Sequence, residues 1–316
     1  MKELQFLEII KNSLDNSSYI GDDCAFLDEM DIFVTHDTLI EDVHFSLYTT
    51  TPYLLGRKAV SVNLSDLAAA LSIPKYITVS LSMPKLTKDK FVSELYRGIN
   101  DTCKEHNIKV IGGDITGSDK VVISICAIGK KSSMYMGGRK YAKKDDLVIV
   151  TGNFGAASAG LYALSNFLYS DEKIINAQLN PTPRIKESKR LASIIENNIA
   201  IMDCSDGLVD ALYKISLASD HSIKIDMNRV PITKEVKEFC KINDLDYSEF
   251  AKWGGEDYEL LFCASEDLYS QLDENIFKCI GTVQNKDNNP SVIIDYGNTT
   301  ERITKEIFEA KSFNHF

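Results

Sequence analysis

GDDCAFLDEMDIFVTHDTLIEDVHF, residues 21–45, sets two adjacent carboxylates, Asp22 and Asp23, behind a glycine. A short apolar run, Ile32-Phe33-Val34, reads as a strand that delivers Thr35, His36 and Asp37, and the loop after it closes on His44. Further acids follow among small residues: Asp66 in NLSDLAAA, Asp114 in GGD, Asp203 and Asp206 in DCSDG, Glu256 and Asp257 in GGEDYELLF. One acid beside a glycine is an ordinary turn. Such clusters recurring along one chain predict a site that gathers oxygen ligands for hard cations, with the remaining sequence as its scaffold.

The rest of the composition bounds that site. At 316 residues the chain exceeds one ordinary core and suits two domains of about 150 residues each. Its apolar content of 44% is that of a globular protein. A net charge of −11 argues against nucleic acid or an anionic membrane as partner, since both require clustered Lys and Arg. It leaves room for phosphorylated small molecules bound through bridging metal ions. The seven cysteines contain no C-x-x-C pair, and their odd number points to a reducing cytoplasm. The N-terminus, MKELQFLEIIKN, has helical spacing without the apolar core of a signal peptide, and no run approaches the ~18 apolar residues of a membrane span.

Along the chain, residues 3–14 are expected to form an amphipathic helix, 32–35 a strand, and 52–71 a helix of small residues able to pack closely. In that helix Asn63 and Asp66 share a face and Ser65 is expected to point elsewhere. A strand over 76–82 precedes Thr87, an expected N-cap. Phe91, Leu95, Ile99 and Cys103 then form a helical core stripe. Val110-Ile111 leads into an expected turn at Gly112-Gly113-Asp114, and a long apolar strand covers 121–128. The basic, glycine-containing stretch KKSSMYMGGRKYAKK predicts a boundary, giving domains 1–134 and 135–316, both of α/β pattern. Gly152 to Gly155 lacks the Gly-Lys-Ser/Thr ending of a P-loop. DCSDG sits at a strand-to-helix junction, where backbone N–H groups can hold an anion. Its two carboxylates would repel a bare phosphate unless a metal ion lay between them. A metal-rich acidic site without a P-loop or protein-kinase signature points to phosphoryl transfer by positioning and charge neutralisation.

In order, GDDCAF, THDTLIEDVHF, VNLSDLAAA, GGD, R-x-x-A-K-x-x-D from Arg139, VTG-x-x-G, DCSDGL, GGEDYELLF and a terminal NHF resemble the thiamine-monophosphate kinases, a family of the aminoimidazole ribonucleotide synthetase superfamily. The similarity runs from Gly21 to Phe316. It implies an α/β (α+β) fold of two α/β domains, and a homodimer in which the N-terminal sheets pair into a barrel. It also implies ATP and thiamine monophosphate as substrates, with thiamine diphosphate and ADP as products. Transfer would be direct and in-line with several Mg²⁺ ions and no phosphoenzyme, so no catalytic side chain is assigned. By motif position, the resemblance puts Asp23, Thr35, His36, Asp37, Asp66, Asp114, Asp203 and Asp206 at metal positions. Gly113, Asp114, Arg139 and Ser205 fall at ATP positions, and His44, Glu256 and Phe313 at substrate positions.

The chain departs from the pattern at four places. His36 stands where the family usually has Ser or Thr, and Asp42 where it usually has glycine. Ile115-Thr116-Gly117-Ser118 replaces a common T-T-R-G, which removes one basic phosphate contact. Phe313 replaces the more usual Tyr or Trp and still stacks. Other members of the superfamily fit less well. There is no N-terminal Cys–Lys glycine-rich stretch of a selenophosphate synthetase and no C-terminal cysteine of a hydrogenase-maturation protein. GGEDYELLF and the HF ending disfavour aminoimidazole ribonucleotide synthetase itself. A non-catalytic regulator would be expected to have lost carboxylates that this chain retains.

Overall fold

The structure, a computed structural model, describes residues 2–313. The Asn314-His315-Phe316 ending lies outside the described residues. The first half comprises α1 (Lys2–Ser13), β1 (Ala25–Leu27), β2 (Ile32–Ile40), α2 (Pro52–Ala69), β3 (Ser72–Met83), α3 (Asp89–His106), β4 (Lys109–Gly117) and β5 (Val122–Lys131). Its sheet runs β1-β2-β5-β3-β4. The expected strand at 32–35 continues to Ile40, because β5 pairs with it without a break from Ile32↔Lys130 to Ile40↔Val122. That ladder satisfies the backbone of the polar Thr-His-Asp segment, which alternation alone could not reveal.

Two local expectations are corrected. Thr87 is not an N-cap: its N–H closes a turn onto the Pro84 carbonyl, and α3 begins after Lys88 without a side-chain cap. The Gly112-Gly113-Asp114 turn is instead the middle of β4, which pairs in parallel with β3. The glycines take φ of 158° and 153° beside an irregularity in that pairing, and a Cβ on Gly113 would collide with the Val79 carbonyl oxygen. Glycine there serves close strand approach at a bulge.

The second half holds β6 (Gly137–Gly138), β7 (Leu147–Thr151), α4 (Ala156–Ser165), α5 (Glu172–Leu179), α6 (Ile185–Ala192), β8 (Ile199–Asp203), α7 (Leu208–Ser219), β9 (Ser222–Asp226), α8 (Lys234–Ile242), α9 (Tyr247–Trp253), β10 (Leu260–Ala264), α10 (Glu266–Tyr269), β11 (Phe277–Gln284), β12 (Val292–Asp295), β13 (Thr300–Ile303) and α11 (Lys305–Lys311). Its mixed sheet runs β13-β12-β9-β11-β7-β10-β8-β6. Neither sheet closes into a barrel within the chain, and among the described residues β4 pairs only with β3.

Helix α2 joins the halves. Thr51 caps it by accepting the Leu54 N–H at 3.2 Å, and Pro52 occupies the first turn, where its missing N–H costs nothing. From Leu55 to Ala69 the helix is buried nearly all round, as a helix packed from both sides must be. One apolar core runs from Leu64, Leu67 and Ile125 of the first half to Ile201, Phe262 and Phe277 of the second. Against α3, α2 packs through glycine: a Cβ on Gly98 would collide with the Tyr53 carbonyl, and one on Gly56 with the Leu95 carbonyl. Gly98→Ala should therefore destabilise the protein by about 1–3 kcal/mol despite its better helix propensity. An unchanged urea midpoint would contradict the close crossing.

Candidate active site

Three segments converge where β2, α2 and β8 meet. The alternation of β2 turns Thr35 and Asp37 toward α2 and turns His36 to the opposite face of the sheet. Thr35 donates to Asp66 Oδ2 at 2.5 Å, and the Asp37 N–H donates to Asn63 Oδ1 at 3.2 Å. From the second half, β8 ends in buried Asp203, whose Oδ2 accepts from Ser65 Oγ at 2.6 Å. Ser65 thus points away from the face shared by Asn63 and Asp66, as expected, and meets β8 because α2 is covered on two sides and both its faces carry partners. Asp23 joins them from the N-terminal loop, its Oδ1 2.5 Å from the Arg139 guanidinium, while the Arg139 backbone N–H donates to Asp22 at 2.8 Å. Asp206 lies at the rim and pairs with Lys214 at 3.1 Å. Beside this group opens a cavity of about 560 Å³, lined among others by Gly21, Asp22, Asp23, Gly138, Arg139 and Ala218.

Burial raises the carboxyls of Asp37, to about 6, and Asp203, to about 8, and the neighbouring carboxylates add to both. Asp66 is likewise raised by burial, then by Asp37, Asp203 and Asp23. These acids lack enough counter-charge of their own, and their donors are oxygens only, which suits a hard divalent cation such as Mg²⁺. Among the described residues no three or more His, Cys, Asp or Glu side chains are gathered closely enough to hold an ion alone. Ligation would therefore draw on water or phosphate oxygens as well.

Other expected site residues lie apart from this group. The His36 imidazole bonds Ser124 Oγ at 2.8 Å on the open face of the sheet, away from Asp66. Gly113 and Asp114 are exposed on the edge strand β4, and Asp114 aligns with Ser80, Ser124 and Thr38 across four strands. At about 4.8 Å per strand this puts Asp114 on the order of 14 Å from β2. His44 accepts the Ile40 N–H on Nδ1 at 3.0 Å, which fixes its ring within its own loop. Asp42 in that loop has φ 62°, a conformation glycine takes freely. Phe313 is half exposed at the end of the described chain.

The family model of the AIR synthase related protein N-terminal domain matches residues 21–130, and that of the C-terminal domain matches 143–289. Thiamine-monophosphate kinase of Bacillus subtilis is 33% identical over 94% of this chain and 93% of its own length. The chain belongs to the thiamine-monophosphate kinase family. The crystal structure of thiamine monophosphate kinase from Aquifex aeolicus superposes with a TM-score of 0.82 at 32% identity, covering 93% of this chain and 97% of that one. The structure of AaThiL complexed with AMPPCP and TMP superposes at 0.84 and 32% identity, covering 92% and 94%.

In this kinase the GGED loop is braced by residues that the sequence reading passed over. Glu256 and Tyr258 have φ of 68° and 51°, an uncommon conformation for residues with side chains. Backbone bonds hold the loop against DCSDG: Glu256 N–H to the Ser205 carbonyl at 2.7 Å, and Cys204 N–H to the Glu259 carbonyl at 2.8 Å. Glu256 is gripped by Lys58 at 2.6 Å and by Gln178 Nε2 at 2.6 Å. Asp257 accepts the N–H groups of Gly155 and Ala157 at the start of α4. Glu259 is buried and bound by Arg184 through two nitrogens, with Thr151 donating at 2.7 Å. Lys58, inside the apolar-flanked GRKAVSV of α2, and Arg184, directly after Pro181 and Pro183, were the available signal.

The raised carboxyls give a pH dependence with a definite sign. Their folded-state values exceed the ordinary 3.8, so their contribution to stability is full below about 4 and is lost as pH rises through about 6 to 8. A bound divalent cation reverses this. The melting temperature of EDTA-treated protein should fall between pH 5.5 and 8.5, and added Mg²⁺ should raise it more at pH 8.5. An equal Mg²⁺ effect at both values would contradict the assignment.

Proposed function

We propose that this chain transfers the γ-phosphate of ATP to the phosphate of thiamine monophosphate, forming thiamine diphosphate and ADP. The observation that carries the reading is the convergence of Asp23, Asp37, Asp66, Asp203 and Asp206, from both halves of the chain, beside a cavity that also presents Arg139. The relative complexed with AMPPCP and TMP supports the choice of substrates.

Asp23, Asp37, Asp66, Asp203 and Asp206 would hold Mg²⁺, with Thr35 contributing oxygen. Bound there, Mg²⁺ supplies the neutralisation that lets one phosphate approach another. The protein's own groups do the rest. Arg139, oriented by Asp23 and Asp22, presents guanidinium nitrogens to the nucleotide. Ser205 and the N–H groups at the start of α7 would receive phosphate oxygen of the nucleotide. Glu256, oriented by Lys58 and Gln178, would accept a donor of the substrate, while His44 and Phe313 complete the substrate side. Transfer needs no covalent intermediate on a side chain.

His36 and Asp114 lie away from the acidic group within one chain, so we infer that His36 contributes through its backbone oxygen and Asp114 through a second subunit. A homodimer with paired N-terminal sheets accounts for β4, an edge strand exposing Val110, Ile111 and Ile115. The seven unpaired cysteines support a reducing cytoplasm, and among the described residues no helix is long and apolar enough to cross a membrane. We place the domain division at 134/135, between the last strand of the first sheet and β6.

Incubation with ATP, Mg²⁺ and thiamine monophosphate should give metal-dependent thiamine diphosphate, followed by chromatography. Asp206→Asn should lower turnover at least about a hundredfold while changing stability by no more than about 1 kcal/mol, since its ion pair is half exposed. Wild-type turnover in that variant would remove Asp206 from the site. Phe313→Ala should weaken thiamine monophosphate binding about five- to tenfold and leave ATP binding alone; equal losses for both ligands would refute stacking.

A further inference from the structure

Lys214 sits at the centre of α7, outside every motif read from the sequence. Its Nζ lies 2.6 Å from Asp210, one helical turn earlier, and 3.1 Å from Asp206 in the loop before the helix. The Asp210 pair alone would be an ordinary (i, i+4) contact. The reach to Asp206 is not ordinary, because it carries the ammonium off the helix to the rim of the acidic group. Asp210 is buried and Lys214 is partly open, with side-chain exposures of 5% and 29%. Asp210, Lys214 and Ala218 recur every four residues and share one face of α7. Ala218 lines the cavity beside Arg139. The same helix anchors the Arg139 segment, since Ser219 Oγ donates to the Arg139 carbonyl at 2.9 Å and accepts the Ala142 N–H at 3.2 Å.

Two cations, Arg139 and Lys214, are thus aimed by carboxylates at the strip between the cavity and the acidic group. Both are ionised. Burial is the largest effect and works against each charge, but the surrounding carboxylates together outweigh it: Asp23, Asp22 and Asp203 at Arg139, and Asp210 with Asp206 at Lys214, where Arg139 also opposes the charge. A nucleotide whose base occupies the cavity must lay its phosphates along this strip, past acids that would repel them.

We propose that Lys214 is a nucleotide-phosphate contact of this kinase. It is held by Asp210 in the free protein and leaves its share of Asp206 to bind phosphate oxygen when nucleotide enters. The assignment rests on the kinase reading above.

The test is calorimetric titration of the full-length protein with Mg²⁺ and AMPPNP, and ligand-observed NMR with adenosine. The variants are Lys214→Met, Lys214→Arg and the double variant Asp210→Asn/Lys214→Met, which leaves no buried carboxylate unpaired if the single variant fails to fold. Lys214→Met and the double variant should weaken AMPPNP about tenfold and leave adenosine unchanged. Lys214→Arg should stay within about threefold of wild type. Unchanged or tighter AMPPNP binding in the methionine variants would overturn the role, as would an equal loss for adenosine, which marks a structural effect. Turnover of the wild type on thiamine monophosphate separates the two readings. Product formation together with unaltered AMPPNP binding in the variants sinks only Lys214. No product, with tenfold weaker AMPPNP in the variants, sinks only the acceptor. A wild type that binds no AMPPNP sinks both.

Discussion

Like charges gathered in a partly buried place are the constraint on which the rest of the structure depends. Burial and then the neighbouring carboxylates, those of Asp23 and Asp206 included, raise the proton affinity of Asp37, Asp66 and Asp203, and this set of like charges would drive its own segments apart in a less constrained chain. The protein holds them with the neutral donors Thr35 and Ser65, with Asn63, which accepts the Asp37 N–H, and with two anchored cations, Arg139 and Lys214. None of the neutral donors cancels a charge. They fix geometry and leave the electrostatic need for cations standing, which is what a metal-dependent phosphate site requires.

That arrangement is possible because α2 is buried on both sides. Its small residues let β2 approach from one side and β8 from the other, so Asp66 and Ser65 on a single helix meet partners from different halves of the chain. The tie continues through Ser188, which donates to the Ala68 carbonyl at 2.7 Å, and through Lys58, which reaches the Gln178 carbonyl at 3.2 Å. Buried polar contacts of this kind are costly when unpaired and specify one arrangement when complete. The two halves are therefore one packed unit at the site.

The GGED loop illustrates strain held in place by its surroundings. Two non-glycine residues in the left-handed region cost on the order of 1–3 kcal/mol each. The Arg184–Glu259 pair, the Asp257 cap on α4 and the backbone bonds to DCSDG over-determine the loop. The place of Arg184 is to keep Glu259, and through it the Glu256 turn, where they are.

The sequence by itself determined the chemistry: acidic clusters beside glycine, the absence of a P-loop, the acidic balance and the ordered motifs named the family and most of the acids. It also gave the core stripe of α3 and the small-residue character of α2, because both depend on neighbours three or four residues away. It misread GGD as a turn and ended β2 too early. Each of those depends on a distant strand: β3 for the GGD glycines and β5 for the end of β2. Only the tertiary structure decided which acids meet in one chain and which, like Asp114, remain on an exposed edge. Only it paired Lys58 with Glu256, Arg184 with Glu259 and Lys214 with Asp206. A lysine or arginine has no periodicity of its own, and its partner is fixed by packing between segments far apart in the chain.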